Sequence, residues 1–95
     1  GNARLVEPRV VLARALVLDQ RADEAAAMLA ATTISHASPR ARAQFHVAYA
    51  EALVKIGAHG DAAVEVARAK SEYAALSSTP QLEQYELDQL DASLR

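Results

Sequence analysis

Residues 38–76 read SPRARAQFHVAYAEALVKIGAHGDAAVEVARAKSEYAAL, and this stretch decides the fold. In its first half Phe45, Tyr49, Ala52, Leu53 and Ile56 recur at spacings of four, three, one and three. That spacing lays them along one face of a 3.6-residue helix. In its second half Ala62, Val66, Ala69, Tyr73 and Leu76 recur at four, three, four and three, again one helical face. Between the two stands Gly57-Ala58-His59-Gly60, where glycine can end one helix and let the chain reverse. Either helix alone would leave its apolar stripe in water, so the two are expected to pack antiparallel as a hairpin. Ser38-Pro39 reads as the N-cap and first residue of the first of these helices. Asp61 opens the second, where a carboxylate suits the positive end of the helix dipole. Glu51 and Lys55 form an i, i+4 pair in the favourable order, worth roughly a few tenths of a kcal/mol.

Working outward toward the N-terminus, a further pair of helices is expected over residues 8–33. Pro8 fits an opening turn, with residues 2–7 adding a turn before it. Leu12, Ala13 and Leu16 then give an apolar face that Val10, Val11, Val17 and Leu18 broaden. A helix apolar over so much of its circumference either has neighbours on two sides or carries an exposed apolar surface. Asp19-Gln20-Arg21-Ala22 is a polar break, and Asp23 and Glu24 open the next helix. Its stripe is Ala25, Met28, Leu29 and Thr32, with Met28 filling a core gap, and it is expected to end at 33–35. Toward the C-terminus, Ser77-Ser78-Thr79-Pro80 breaks the chain and caps a last helix, 79–94, with Leu82, Leu87, Leu90 and Leu94 on its apolar side.

The chain of 95 residues is therefore read as one all-α domain of about five helices. No window shows the strict alternation of a strand. With no cysteine, disulfides, thiol chemistry and thiolate-bound metals are excluded. No apolar run approaches the eighteen or so residues of a membrane span, and no signal peptide is visible, so a cytoplasmic location is expected. Residues 1–3 read as a cloning remnant, and the chain, lacking a starting methionine, reads as a piece of a larger protein. Its formal charge of −2 divides into an arginine-rich first half and an acidic second half. Neither is a basic patch of the density nucleic acid requires.

The two hairpins overlay on one another. Leu12-Ala13 and Leu16 fall on Tyr49-Ala50 and Leu53; Ala25, Leu29 and Thr32 fall on Ala62, Val66 and Ala69. A constant offset of this size marks a helical repeat array. The order of large and small positions, in Tyr49, Ala50, Leu53, Gly57, Ala62, Val66 and Ala69, resembles the tetratricopeptide repeat, whose period is about 34 residues. The first hairpin departs from that motif, with Gln20 at the turn-glycine position and Thr32 in place of a small apolar residue. Over residues 41–94, the run Ala48-Tyr49-Ala50-Glu51-Ala52-Leu53, the Gly57 turn, Ala69, Tyr73, Leu76 and the leucines of the last helix are similar to the helical repeats of large bacterial LuxR-type regulators with an ATPase core.

The resemblance implies a right-handed stack of antiparallel hairpins, and a non-catalytic interaction module of a bacterial signalling or transcriptional regulator. In such arrays the first helix of each hairpin lines a concave groove. The positions so implied are Val10, Arg14, Val17 and Leu18, then Gln44, Val47, Glu51, Val54 and Lys55. That mix suits a peptide or protein segment with apolar anchors and a few charges. Glu51 breaks the pattern by which some members of the family clamp a terminal carboxylate. Flanking domains of the same chain, or a second copy, are the other expected partners, and a structural or self-association segment is the alternative role. A small-ligand sensor is a third, requiring a cavity near Phe45 and Tyr49.

No catalytic, cofactor or metal site is expected. His36, His46 and His59 are not placed four apart, and no cysteine joins them. Ser35, His36 and Ser38 lack an orienting acid. Asp23 and Glu24 are adjacent, so they diverge around their helix. The glycines at 1, 57 and 60 do not form a phosphate-binding loop.

Overall fold

The computed structural model describes residues 3–35, 37–75 and 81–94. Five helices follow one another: α1 (Ala3–Leu18), α2 (Ala22–Ala30), α3 (Pro39–Lys55), α4 (His59–Ala74) and α5 (Gln81–Ser93). There is no strand among the described residues. α1 packs on α2 and α3 on α4, as two hairpins, and α5 lies against α4 and α3. The molecule measures 35 × 34 × 20 Å. Its short dimension is two helix diameters, as two layers of helices require.

The same turn closes both hairpins. In the first, the N–H of Arg21 donates to the carbonyl of Leu16 (2.8 Å) and the N–H of Gln20 to that of Val17 (3.2 Å). In the second, the N–H of Ala58 donates to Leu53 (2.9 Å) and that of Gly57 to Val54 (3.1 Å). This paired pattern satisfies the last carbonyls of a helix and places one residue in the left-handed region. That residue is Gln20 at φ +62° and Gly57 at φ +84°. The two turns correspond atom for atom at the register offset seen in the sequence, although only one of them holds a glycine.

Two apolar cores lie on opposite sides of α3. The first joins Val10 and Ala13 of α1 and Ala25, Ala26 and Leu29 of α2 to Ala41, Phe45, Ala48 and Ala52 of α3. The second joins Ala43, Val47 and Ala50 of α3 to Val66, Ala69 and Tyr73 of α4 and Leu87 and Leu90 of α5. α3 is thus buried nearly all round, and its alanines let both hairpins approach closely on a helix of narrow cross-section. Leu29, Val47 and Leu87 are fully enclosed, each contributing about 1.5–3 kcal/mol of burial. Phe45 meets Tyr49 edge to face at 5.9 Å between ring centroids, a favoured aromatic geometry.

The helix ends depart in places from the reading of the sequence. α1 begins at Ala3 and carries Pro8 within it, so the turn expected before Pro8 is part of the helix. α2 stops at Ala30, short of 33–35, and the Thr32 hydroxyl donates to the Met28 carbonyl at 2.8 Å. α3 starts where Ser38 and Pro39 indicate, with the Ser38 Oγ accepting from the N–H of Ala41 at 3.2 Å. α4 opens at His59, two residues ahead of Asp61. The expected ends at Leu76 and Thr79, and His36, lie outside the described residues. Leu12, grouped with the core face of α1, is instead 52% exposed, and Val11 is 69% exposed. Ile56, the last residue of the central stripe, is 46% exposed.

Candidate functional site

A trough runs where α1, α3 and α5 come together. Arg14, Val17 and Leu18 of α1 form one wall, Glu51 of α3 lies at its base, and Tyr85, Gln89 and Leu90 of α5 form the other wall. It encloses about 440 Å³. Val17 and Leu18 also border a second hollow of about 430 Å³ with Gln20, Ala22 and Lys55. The two hollows share Val17 and Leu18, at the C-terminal end of α1.

At the base, Nη2 of Arg14 donates to Oε1 of Glu51 at 3.3 Å. The two residues occupy equivalent positions in the two hairpins, separated by 37 in sequence. Side-by-side packing of α1 and α3 brings such equivalents together. Each side chain keeps about a third of its surface in water, so the pair contributes at most about 1 kcal/mol. Leu18, 87% exposed, and Tyr85, 62% exposed, stand at the rim. The trough therefore offers an apolar wall, an aromatic ring with a hydroxyl, an amide and an ion pair.

The structure gathers Arg14, Val17, Leu18 and Glu51 around the main hollow and adds Lys55 at the second. It does not bring the other implied groove positions there. Val47 is 1% exposed and belongs to the second core, and Val10 is 7% exposed in the first. Both valines face neighbouring helices, so neither is offered to a partner. Val54 is half-buried between the cores and Gln44 is half-buried on α3. Lys55 is exposed, and Glu51 is turned to Arg14, across to α1. Tyr85, Gln89 and Leu90 were not foreseen. The signal for them was α5 itself, whose leucines imply that it packs alongside α3.

A second polar cluster ties α3 to α4. His46 and Glu65 are 7% and 6% exposed, and His46 Nδ1 lies 2.6 Å from Glu65 Oε2. The other carboxylate oxygen accepts from Nη1 of Arg68 at 2.8 Å. A buried carboxylate with both oxygens engaged is held rather than poised. Glu65 could have been noticed in the sequence, because it falls within the stripe of Ala62, Val66 and Ala69. Its burial had to await the position of His46. Around the rim of the fold, Arg42 reaches Glu72 at 3.1 Å and Lys70 reaches Asp91 at 2.7 Å, the latter joining α4 to α5. Phe45 and Tyr49, where a ligand cavity was expected for a sensor, pack against each other, Phe45 being 4% exposed.

Among the described residues, no three His, Cys, Asp or Glu side chains gather as a metal site, and no helix is long and apolar enough to cross a membrane. Compared with known proteins, the chain matches no family model, no curated protein and no solved structure.

Proposed function

We propose that this chain is a non-catalytic protein–protein interaction module, a tetratricopeptide-like stack of two hairpins and a closing helix, which holds a peptide segment of its partner in the trough between α1, α3 and α5. The observation that carries this reading is the trough: apolar Val17, Leu18 and Leu90 beside Tyr85 and the Arg14–Glu51 pair. Such a mixture holds an apolar side chain while fixing its polar backbone. The repeat-like reading is supported by the matching turns at Gln20 and Gly57 and by the use of α3 against both neighbours. A place within a cytoplasmic bacterial signalling or transcriptional regulator rests on the sequence resemblance alone.

The test is selection of short peptides from a display library against the wild-type chain, followed by anisotropy titration of the enriched peptides. Peptides with an apolar residue flanked by polar ones should be enriched. Tyr85→Ala should weaken them by about tenfold or more, as loss of an aromatic anchor does. Glu51→Ala should also weaken them while changing stability by less than about 1 kcal/mol. Equal binding by wild type, Tyr85→Ala and Glu51→Ala would show that the trough is not the site.

A further inference from the structure

Glu51 and Lys55 stand one helical turn apart on α3, in the order that lets them pair. The structure does not use that pairing. Glu51 is turned across to Arg14 of α1, at 3.3 Å. Lys55 is exposed at the second hollow, and among the described residues its side chain has no hydrogen bond or ion pair. The charged side chains among the described residues that line the two hollows are Arg14, Glu51 and Lys55. Arg14 and Glu51 offset each other, so the positive charge of Lys55 is left over. The α5 wall differs in sign, since it carries an exposed Asp88 beside Gln89.

We propose that the peptide segment held in the trough carries an Asp or Glu side chain two residues from its apolar anchor, and that Lys55 pairs with this carboxylate. The inference rests on the trough being the binding site. The spacing follows from the geometry of the two chains. Lys55 lies four residues beyond Glu51 on α3, about 6 Å along the helix. In an extended peptide, residues i and i+2 face the same side about 6.6 Å apart. An anchor seated over the Arg14–Glu51 pair, between Leu18 and Tyr85, therefore brings the residue two positions away to Lys55. An extended occupant also suits the lining: the Tyr85 hydroxyl and the Gln89 amide can bond to backbone groups that a helix has already satisfied internally.

Charge then fixes the orientation. Lys55 draws the carboxylate to the second hollow, beside Gln20 and Ala22 at the turn of the first hairpin. Asp88 disfavours it at the α5 wall. Because Lys55 is exposed, the pair is a modest contribution that selects among peptides more than it holds them, and salt weakens it.

The probes are end-blocked nonapeptides from a library with a fixed central phenylalanine, selected on the wild-type chain. Each is remade with Asp, Asn or Lys at one other position in turn. Blocked ends leave the side chain as the source of the carboxylate. Anisotropy titration at about 50 mM salt should show Asp two residues from the phenylalanine binding about two- to fivefold more tightly than Asn, with the gain fading at about 0.5 M. Lys55→Gln should abolish that gain. Lys55→Glu should reverse it, so that Lys in the peptide binds more tightly than Asp. Far-UV circular dichroism checks that both variants keep their helices, and the comparison of peptides on the wild type needs no variant. Asp and Asn peptides bound alike by the wild type overturn the inference. So does a gain that survives Lys55→Gln, or one that is largest three or four residues from the anchor, the spacing of a helix. Tyr85→Ala separates these failures from that of the trough itself. If it weakens every peptide while the Asp gain is missing, the trough stands and the acid at Lys55 falls. If it weakens none, the trough falls and the inference falls with it.

Discussion

Gln20 is the residue at which the two hairpins differ most in chemistry and least in geometry. Its φ of +62° puts a side chain in the left-handed region, which costs an L-residue about 1–2 kcal/mol. Glycine there relieves that strain but adds about 0.5–1 kcal/mol of unfolded-chain entropy. Gln20→Gly should therefore stabilise the chain by roughly 0.5–1 kcal/mol, and Gly57→Ala, at φ +84° with open space around it, should destabilise it by roughly 1 kcal/mol. Urea denaturation of both variants checks the pair; shifts of the same sign would contradict the shared turn. Glu65→Ala is expected to cost more, about 1–3 kcal/mol, because His46 would keep its buried position without its partner. A midpoint equal to wild type would show that the His46–Glu65 contact holds nothing together. The departure at Gln20 was visible in the sequence as a missing turn glycine. The burial of Glu65 was not, since charge in a helical stripe gives no sign of which neighbour will answer it.

At the scale of helices, the alanines decide how closely the hairpins close. Ala62 is fully buried where α4 meets the first core, so Ala62→Leu should destabilise by roughly 1–3 kcal/mol through overpacking. A melting temperature equal to wild type would mean that α4 has room at that contact. Helix positions were legible because the stripes at 45–56 and 62–73 follow helical spacing closely and because Ser38-Pro39 is a strong start signal. The end of α2 and the start of α4 were less so: they are set by where backbone groups find partners, as at Thr32, and not by the apolar pattern. The trough was legible only in part. Arg14, Val17, Leu18 and Glu51 follow from the equivalence of α1 and α3. Val10 and Val47 were misplaced because the groove reading assigned them to an open side of the stack. In the structure the core lies on that side of each valine, and for Val47 α5 forms part of it. A periodic pattern states which residues share a face; it does not say which neighbour that face will meet.

For the whole molecule, the use of α3 by both cores couples them: loss of either one uncovers one of the two faces that hold α3 in place. Val54 and Leu94 pack against both, reinforcing the coupling. α5, by contrast, is held among the described residues through Leu87, Leu90 and the Lys70–Asp91 pair. Amide protons report such differences, since each exchanges with solvent when its own hydrogen bond opens. Those of Ala48–Ala52 should exchange only as fast as the entire chain unfolds, while those of α5 should be released by a smaller, local event. Mass-resolved deuterium uptake measures both; uniform protection across α3 and α5 would mean the chain opens as a unit. A wall that detaches on its own admits an occupant too large for the closed trough, so the speed of peptide capture would be set by how often α5 lets go.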